Sequence, residues 1–192
     1  MHLLKKILAR WVYSRRLALV PSWLQPSWAQ RMFLKHLLDD LKIDCVIDVG
    51  ANVGQFGGEI RRIGYDGKIV SFEPDPRAFE ALSARAKSDP NWITLNVALG
   101  SQTGEAVFNI MSVSLFNSFR EPSNQETYLY SDANRVIERK RIKVNRLDSF
   151  RLEVLGPSAL SRIFLKLDTQ GFDSEVFVGA AGIRSNIFAL QS

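Results

Sequence analysis

From residue 43 onward, short apolar runs alternate with stretches of helical period. Ile43-Asp-Cys-Val-Ile-Asp-Val is an apolar run that ends on a glycine cluster, the mark of a buried parallel strand. A helix is expected from Val53 to Ile63, stopped by Gly64, with a turn at Tyr65-Asp-Gly. Lys68-Ile-Val-Ser-Phe-Glu reads as a second strand. Asp75-Pro76 opens the next helix, because Asp suits the N-cap and Pro the first helical position, and that helix runs over Ala78–Lys87. Asn91-Trp-Ile-Thr-Leu-Asn-Val is a third strand. Glu105–Ile110 and Arg141–Arg146 alternate as an antiparallel pair, separated by a polar stretch, Ser112 to Lys140, long enough to be a lid or binding loop. Arg162–Asp168 is a fourth strand, Phe172–Ala180 a helix and Asn186–Leu190 a fifth strand. This rhythm with short links predicts a doubly wound, mostly parallel α/β sheet.

The first 42 residues differ. They carry eight Lys or Arg against Asp39 and Asp40, whereas the other 150 residues carry 17 basic against 18 acidic side chains. The sequence pI of 9.5 therefore describes an extension, 1–42, and not the domain, 43–192. A nucleic-acid-binding domain would need a basic face of its own, so no nucleic-acid partner is expected. The longest uncharged run in this part, Leu17 to Gln30, has 14 residues and includes Pro21 and Pro26, too short and too broken for a membrane span. It also lacks the apolar core and small-residue cleavage site of a signal peptide. The basic residues of the extension, with Trp11, Tyr13, Trp23 and Trp28, can make an interfacial amphipathic helix in peripheral contact with a membrane. A helix pair packed on the domain, or on a second copy in a homo-oligomer, is the preferred reading. The single cysteine, Cys45, sits in an apolar run, as a buried reduced thiol would, and is compatible with a cytoplasmic location.

Four motifs carry chemistry. Asp48-Val-Gly50-Ala-Asn52-Val-Gly54-Gln55-Phe56 falls at a strand-to-helix turn. Gly50 allows a sharp turn, Gly54 a close approach, and Asn52 tolerates positive φ. The spacing is not that of a dinucleotide fingerprint. An acid ahead of the turn repels a pyrophosphate and attracts a cation, which favours S-adenosylmethionine over NAD. Glu73, 25 residues on, ends strand two, where an acid accepts ribose hydroxyls, with Phe72 and Pro74 as walls for the adenosine. Asn96-Val97-Ala98 ends strand three at the edge that faces the base. Asp168, in Phe164-Leu-Lys-Leu-Asp-Thr-Gln-Gly171, reaches the carboxyl edge near the transferable methyl. It is read there as a general base toward a hydroxyl, a metal ligand or a turn-holding residue. Arg146-Leu-Asp148-Ser is a further polar cluster, read as structural. His2 and His36 lie outside the expected site and no Cys cluster exists, so no metal site is assigned.

In this order the motifs resemble the FkbM family of S-adenosylmethionine-dependent methyltransferases, over residues 43–192. The resemblance rests on Asp48-Val-Gly-Ala-Asn-Val-Gly-Gln-Phe, Phe72-Glu-Pro, Asn96-Val-Ala-Leu-Gly, Arg146-Leu-Asp-Ser and Leu165-Lys-Leu-Asp-Thr-Gln-Gly. It implies a class I, Rossmann-like methyltransferase fold and O-methylation of a hydroxyl on a sugar, glycan or natural product. Asp48, Gly50, Asn52, Gly54 and Glu73 would bind the cofactor and Asp168 would sit beside the methyl group. Family members often have Glu where Asp173 stands. The family sheet has seven strands with a terminal antiparallel hairpin, so this chain is expected to be incomplete at its C-terminus. An inactive fragment or interaction module is the alternative reading.

Overall fold

A computed structural model describes residues 25–112, 119, 135–156 and 161–192. Residues 1–24 of the basic extension, and most of the polar stretch 112–140, lie outside the described residues. The elements are α1 (Gln25–Asp40), β1 (Cys45–Val49), α2 (Gln55–Arg62), β2 (Lys68–Phe72), α3 (Pro76–Ala86), β3 (Trp92–Leu95), β4 (Ala98–Leu99), β5 (Gly104–Met111), β6 (Val136–Asn145), α4 (Arg151–Leu155), β7 (Ile163–Leu167), α5 (Asp173–Gly179) and β8 (Ile187–Gln191). 3₁₀ turns span Leu147–Phe150 and Ala181–Asn186. Among the described residues no helix is long and apolar enough to cross a membrane.

Five parallel strands form the main sheet in the order β3-β2-β1-β7-β8. Strand alternation sends Cys45, Ile47 and Val49 to one face, where they meet Val154 and Leu155 of α4 and Val176 of α5. Val46 faces the other way, into Leu38 of α1, Ile60 of α2 and Leu82 of α3. Helices thus cover both faces, as the doubly wound reading requires. Leu34, Leu37 and Leu41 pack on the second cluster beside Leu38, so α1, although it lies before residue 43, shares the domain's core.

The third strand departs from expectation. Asn91–Val97 was expected as one strand, but only Trp92–Leu95 stays in the main sheet. Asn96 donates its amide to the Glu73 and Pro74 carbonyls at 2.8 and 3.3 Å, turning the chain out of the ladder. Ala98–Leu99 then joins a second sheet, β4-β6-β5, in which β5 and β6 form the expected antiparallel pair. The cap of α3 is as expected: the Asp75 carboxylate accepts from Arg77 N at 3.1 Å, with Pro76 in the first turn.

Two adjacent glycines in α2 have opposite surroundings. A Cβ on Gly57 would lie 2.2 Å from Cζ2 of Trp92, whose ring cannot yield because its Nε1 donates to Ser71 Oγ at 2.9 Å. A Cβ on Gly58 would meet only the flexible tip of Arg85, at 3.4 Å. Alanine gains about 1 kcal/mol of helix propensity at either position. Overpacking costs about 1–3 kcal/mol, so it offsets or outweighs that gain at Gly57. Urea unfolding of Gly57→Ala should show lost stability, and that of Gly58→Ala a gain of about 0.5–1 kcal/mol.

Candidate active site

The carboxyl edge of the main sheet opens into a cavity of about 800 Å³. Its floor is made by the loops that leave β1, β2 and β7. Gly50 has φ +75°, and a Cβ there would come within 2.1 Å of the Asp168 carbonyl oxygen, so the β1 and β7 exits meet at a point that only glycine fits. Gly50 N and Ala51 N both donate to Phe72 O, at 3.0 and 3.1 Å, tying the β1 loop to the β2 exit. Asn52 stands at φ 48°, the left-handed conformation expected for it.

Glu73 organises the β2 side. Its Oε2 accepts from Asn52 N at 2.7 Å and its Oε1 from Asp75 N at 2.9 Å. Each oxygen keeps a further lone pair for a ligand donor. Burial pushes its carboxyl up to about 7, against the pull of the Asp75 and Asn52 backbone hydrogen bonds, and the nearby Asp75 and Asp48 charges add to the rise.

The β1–β7 side is built on an ion pair. Asp48 and Lys166 are register partners, and Lys166 Nζ lies 3.0 Å from Asp48 Oδ1 and 3.4 Å from Asp168 Oδ2. The three taken as ionised carry one net negative charge. Asp48 is 0% exposed, and neither of its oxygens has an aligned hydrogen-bond donor among the described residues. Burial raises its pKa against the Coulombic pull of Lys166. Burial also works against the Lys166 charge, but attraction to Asp48 and Asp168 prevails and its pKa is raised. The side chain of Asp168 is 51% exposed and faces the cavity, steadied by Gln170 Nε2 at 3.1 Å.

Gly50, Asn52, Gln55, Phe56, Glu73, Pro74, Val97, Ala98 and Asp168 line one cavity. Three other residues expected in the site do not. Asp48 is fully buried beneath the floor, paired with its register partner Lys166, and Asp168 is the exposed carboxylate of the group. Gly54, at φ +78°, does not line the cavity and faces Leu82, Arg85 and Trp92, the close helix packing that a glycine there allows. Asn96 spends its amide on the backbone beside Glu73. The Arg146–Asp148 cluster is a bidentate pair, at 2.9 and 2.6 Å, that also anchors Ser101 O and Gly182 N, and it does not line the cavity.

Lys166 lines the cavity and was not singled out from the sequence. A signal for it exists: a buried acid inside a strand needs a cation of matching parity on a neighbouring strand. Phe119, from the polar stretch, also lines the cavity and packs its ring 5.0 Å from Phe108 and 4.8 Å from Phe172.

An open parallel sheet with an acid at the β2 exit and glycine-tightened loops at the β1 exit is a nucleoside-binding architecture. The methyltransferase FkbM domain model matches residues 48–189, and the chain belongs to that family. No curated protein matches the chain. Among solved structures, the chain is similar to a candidate caffeoyl-CoA O-methyltransferase from Staphylococcus aureus, at 10% identity and a TM-score of 0.31. That similarity spans 47% of this chain and 42% of the other.

Removing one member of a buried pair strands the other charge, at a cost of about 3–5 kcal/mol. Lys166→Met should lose that much in urea unfolding. Adding Asp48→Val should restore most of it, because two apolar side chains then fill the same space.

Proposed function

We propose that this chain transfers a methyl group from S-adenosylmethionine to a hydroxyl of a sugar, glycan or other natural product. The observation that carries the reading is Glu73: a nearly buried carboxylate, held by two backbone amides, with open lone pairs toward a cavity of about 800 Å³. That donor set suits the two hydroxyls of a ribose. Pro74, Val97 and Ala98 give the adjoining walls for the base, and the Gly50–Asn52 loop lies between them and Asp168. The single net charge of the Asp48–Lys166–Asp168 group suits a positively charged ligand.

The cofactor would supply an electrophilic methyl carbon on a sulfonium. In the transfer the carbon–sulfur bond breaks, a carbon–oxygen bond forms, and the hydroxyl proton leaves. Asp168 holds the acceptor hydroxyl and takes that proton. A carboxylate is a weak base toward an alcohol, so most of the rate comes from orientation within the cavity. Lys166 keeps the Asp168 carboxylate facing the cavity.

Ribose hydroxyls donate, so the ionised form of Glu73 is the one that binds. With its carboxyl near 7, ionisation rises through neutral pH. Calorimetric affinity for S-adenosylhomocysteine should therefore increase about tenfold from pH 6 to pH 8 and level off above. Glu73→Gln should bind more weakly and lose that pH dependence, whereas Asp168→Asn should stay within a few-fold of the unaltered chain. Absence of binding at every pH would favour the reading of an inactive interaction module.

A further inference from the structure

The cavity continues past Asp168 and Lys166 along the face of the sheet that α1 covers. Gln30, Phe33, Leu34 and Leu37 line it, at positions i, i+3, i+4 and i+7 of one face of α1. Leu38 is driven into the core at 3% exposure, but Phe33 stays 68% exposed while forming cavity wall. On the same face of the sheet stands Phe56, stacked on Phe164 with centroids 6.1 Å apart and planes at 19°. At the rim Arg31 and Glu59 pair with each other at 2.9 Å, so the charges there compensate one another. The polar side chains Gln170, Gln191 and Ser192 gather at the Asp168 end.

α1 lies wholly outside the residues that match the family model. A large ring left mostly in water on a concave wall gains free energy when a ligand covers it. A free sugar needs hydrogen-bonding partners along its whole body, whereas on this side of the cavity Arg31 and Glu59 pair with each other and Gln30 and Gln55 are the uncharged polar side chains beside Phe33, Leu34 and Leu37. An uncharged apolar body needs none.

We propose that α1 and the Phe56–Phe164 stack form an acceptor subsite for a hydroxyl carried on an uncharged, apolar body, with Phe33 as the residue that selects it. The hydroxyl end lies at Asp168 and Gln170, and the apolar body lies between Phe33, Leu34 and the Phe56–Phe164 stack. This inference rests on the methyl-transfer reading for the identity of the hydroxyl end, and narrows its acceptor class.

The test uses straight-chain 1-alkanols from hexanol to decanol as probes, titrated calorimetrically into the full chain with and without saturating S-adenosylhomocysteine. Affinity should rise about fourfold per added methylene while the chain still lies in the groove. Phe33→Ala should weaken decanol binding about tenfold. Phe33→Asp should abolish the dependence on length. Because Phe33 is exposed, both variants should melt at the temperature of the unaltered chain and keep its S-adenosylhomocysteine affinity. No dependence on length, unchanged decanol binding by Phe33→Ala, or methyl glucoside binding as tightly as decanol would each overturn the proposal. Length dependence that persists where S-adenosylhomocysteine does not bind supports the subsite and counts against the cofactor reading instead.

Discussion

A lysine ammonium inserted between two carboxylates, one sealed inside the sheet and one facing the cavity, sets the electrostatics of the carboxyl edge. The Asp48–Lys166 pair costs desolvation energy, and pairs of this kind are weak contributors to net stability. Its consequence is positional. Lys166 compensates the charge that β1 buries and leaves Asp168 as the carboxylate of the group that faces the cavity. The pair also belongs to a wider row: Thr94, Ser71, Asp48, Lys166 and Gln191 are register partners across all five strands. In a parallel sheet such partners share a face, so one polar layer crosses the sheet just below its carboxyl edge.

Around that layer the loops are tied to one another. Phe72 O receives two amides from the β1 exit, Val49 O receives Asp168 N, and Leu95 O receives Glu73 N. Glu73 then joins its own exit to the β1 loop through Asn52 N. A site assembled from several strand ends needs such cross-ties to hold its groups in one geometry, and here backbone groups supply them.

Much of this was legible in the sequence, for reasons that differ between elements. Strand and helix order followed from the apolar runs and from cap chemistry such as Asp75-Pro76. Gly50, Asn52 and Glu73 could be placed because their turn and strand-end roles are local. Asp48 was placed at the crevice by its position ahead of the turn, whereas its burial against Lys166 depends on a residue distant in sequence. The packing partners of Asn96 and Gly54, the Glu73 and Pro74 carbonyls and the Trp92 ring, could not be read because they are distant in sequence. The contribution of α1 could not be read at all, since nothing local says which face of a helix will overhang a cavity formed by strands β7 and β8.

The proposed nucleoside site is centred on Glu73 and Asp168, with Asp48 beneath it. A crystal structure of the chain grown with S-adenosylhomocysteine is the direct test. Ribose hydroxyls should lie within hydrogen-bonding distance of the Glu73 carboxylate, with the sulfur on the Asp168 side of the cavity and no ligand atom touching Asp48. A nucleoside bound away from Glu73, or an amino group paired directly with Asp48 after Lys166 has swung out, would contradict it.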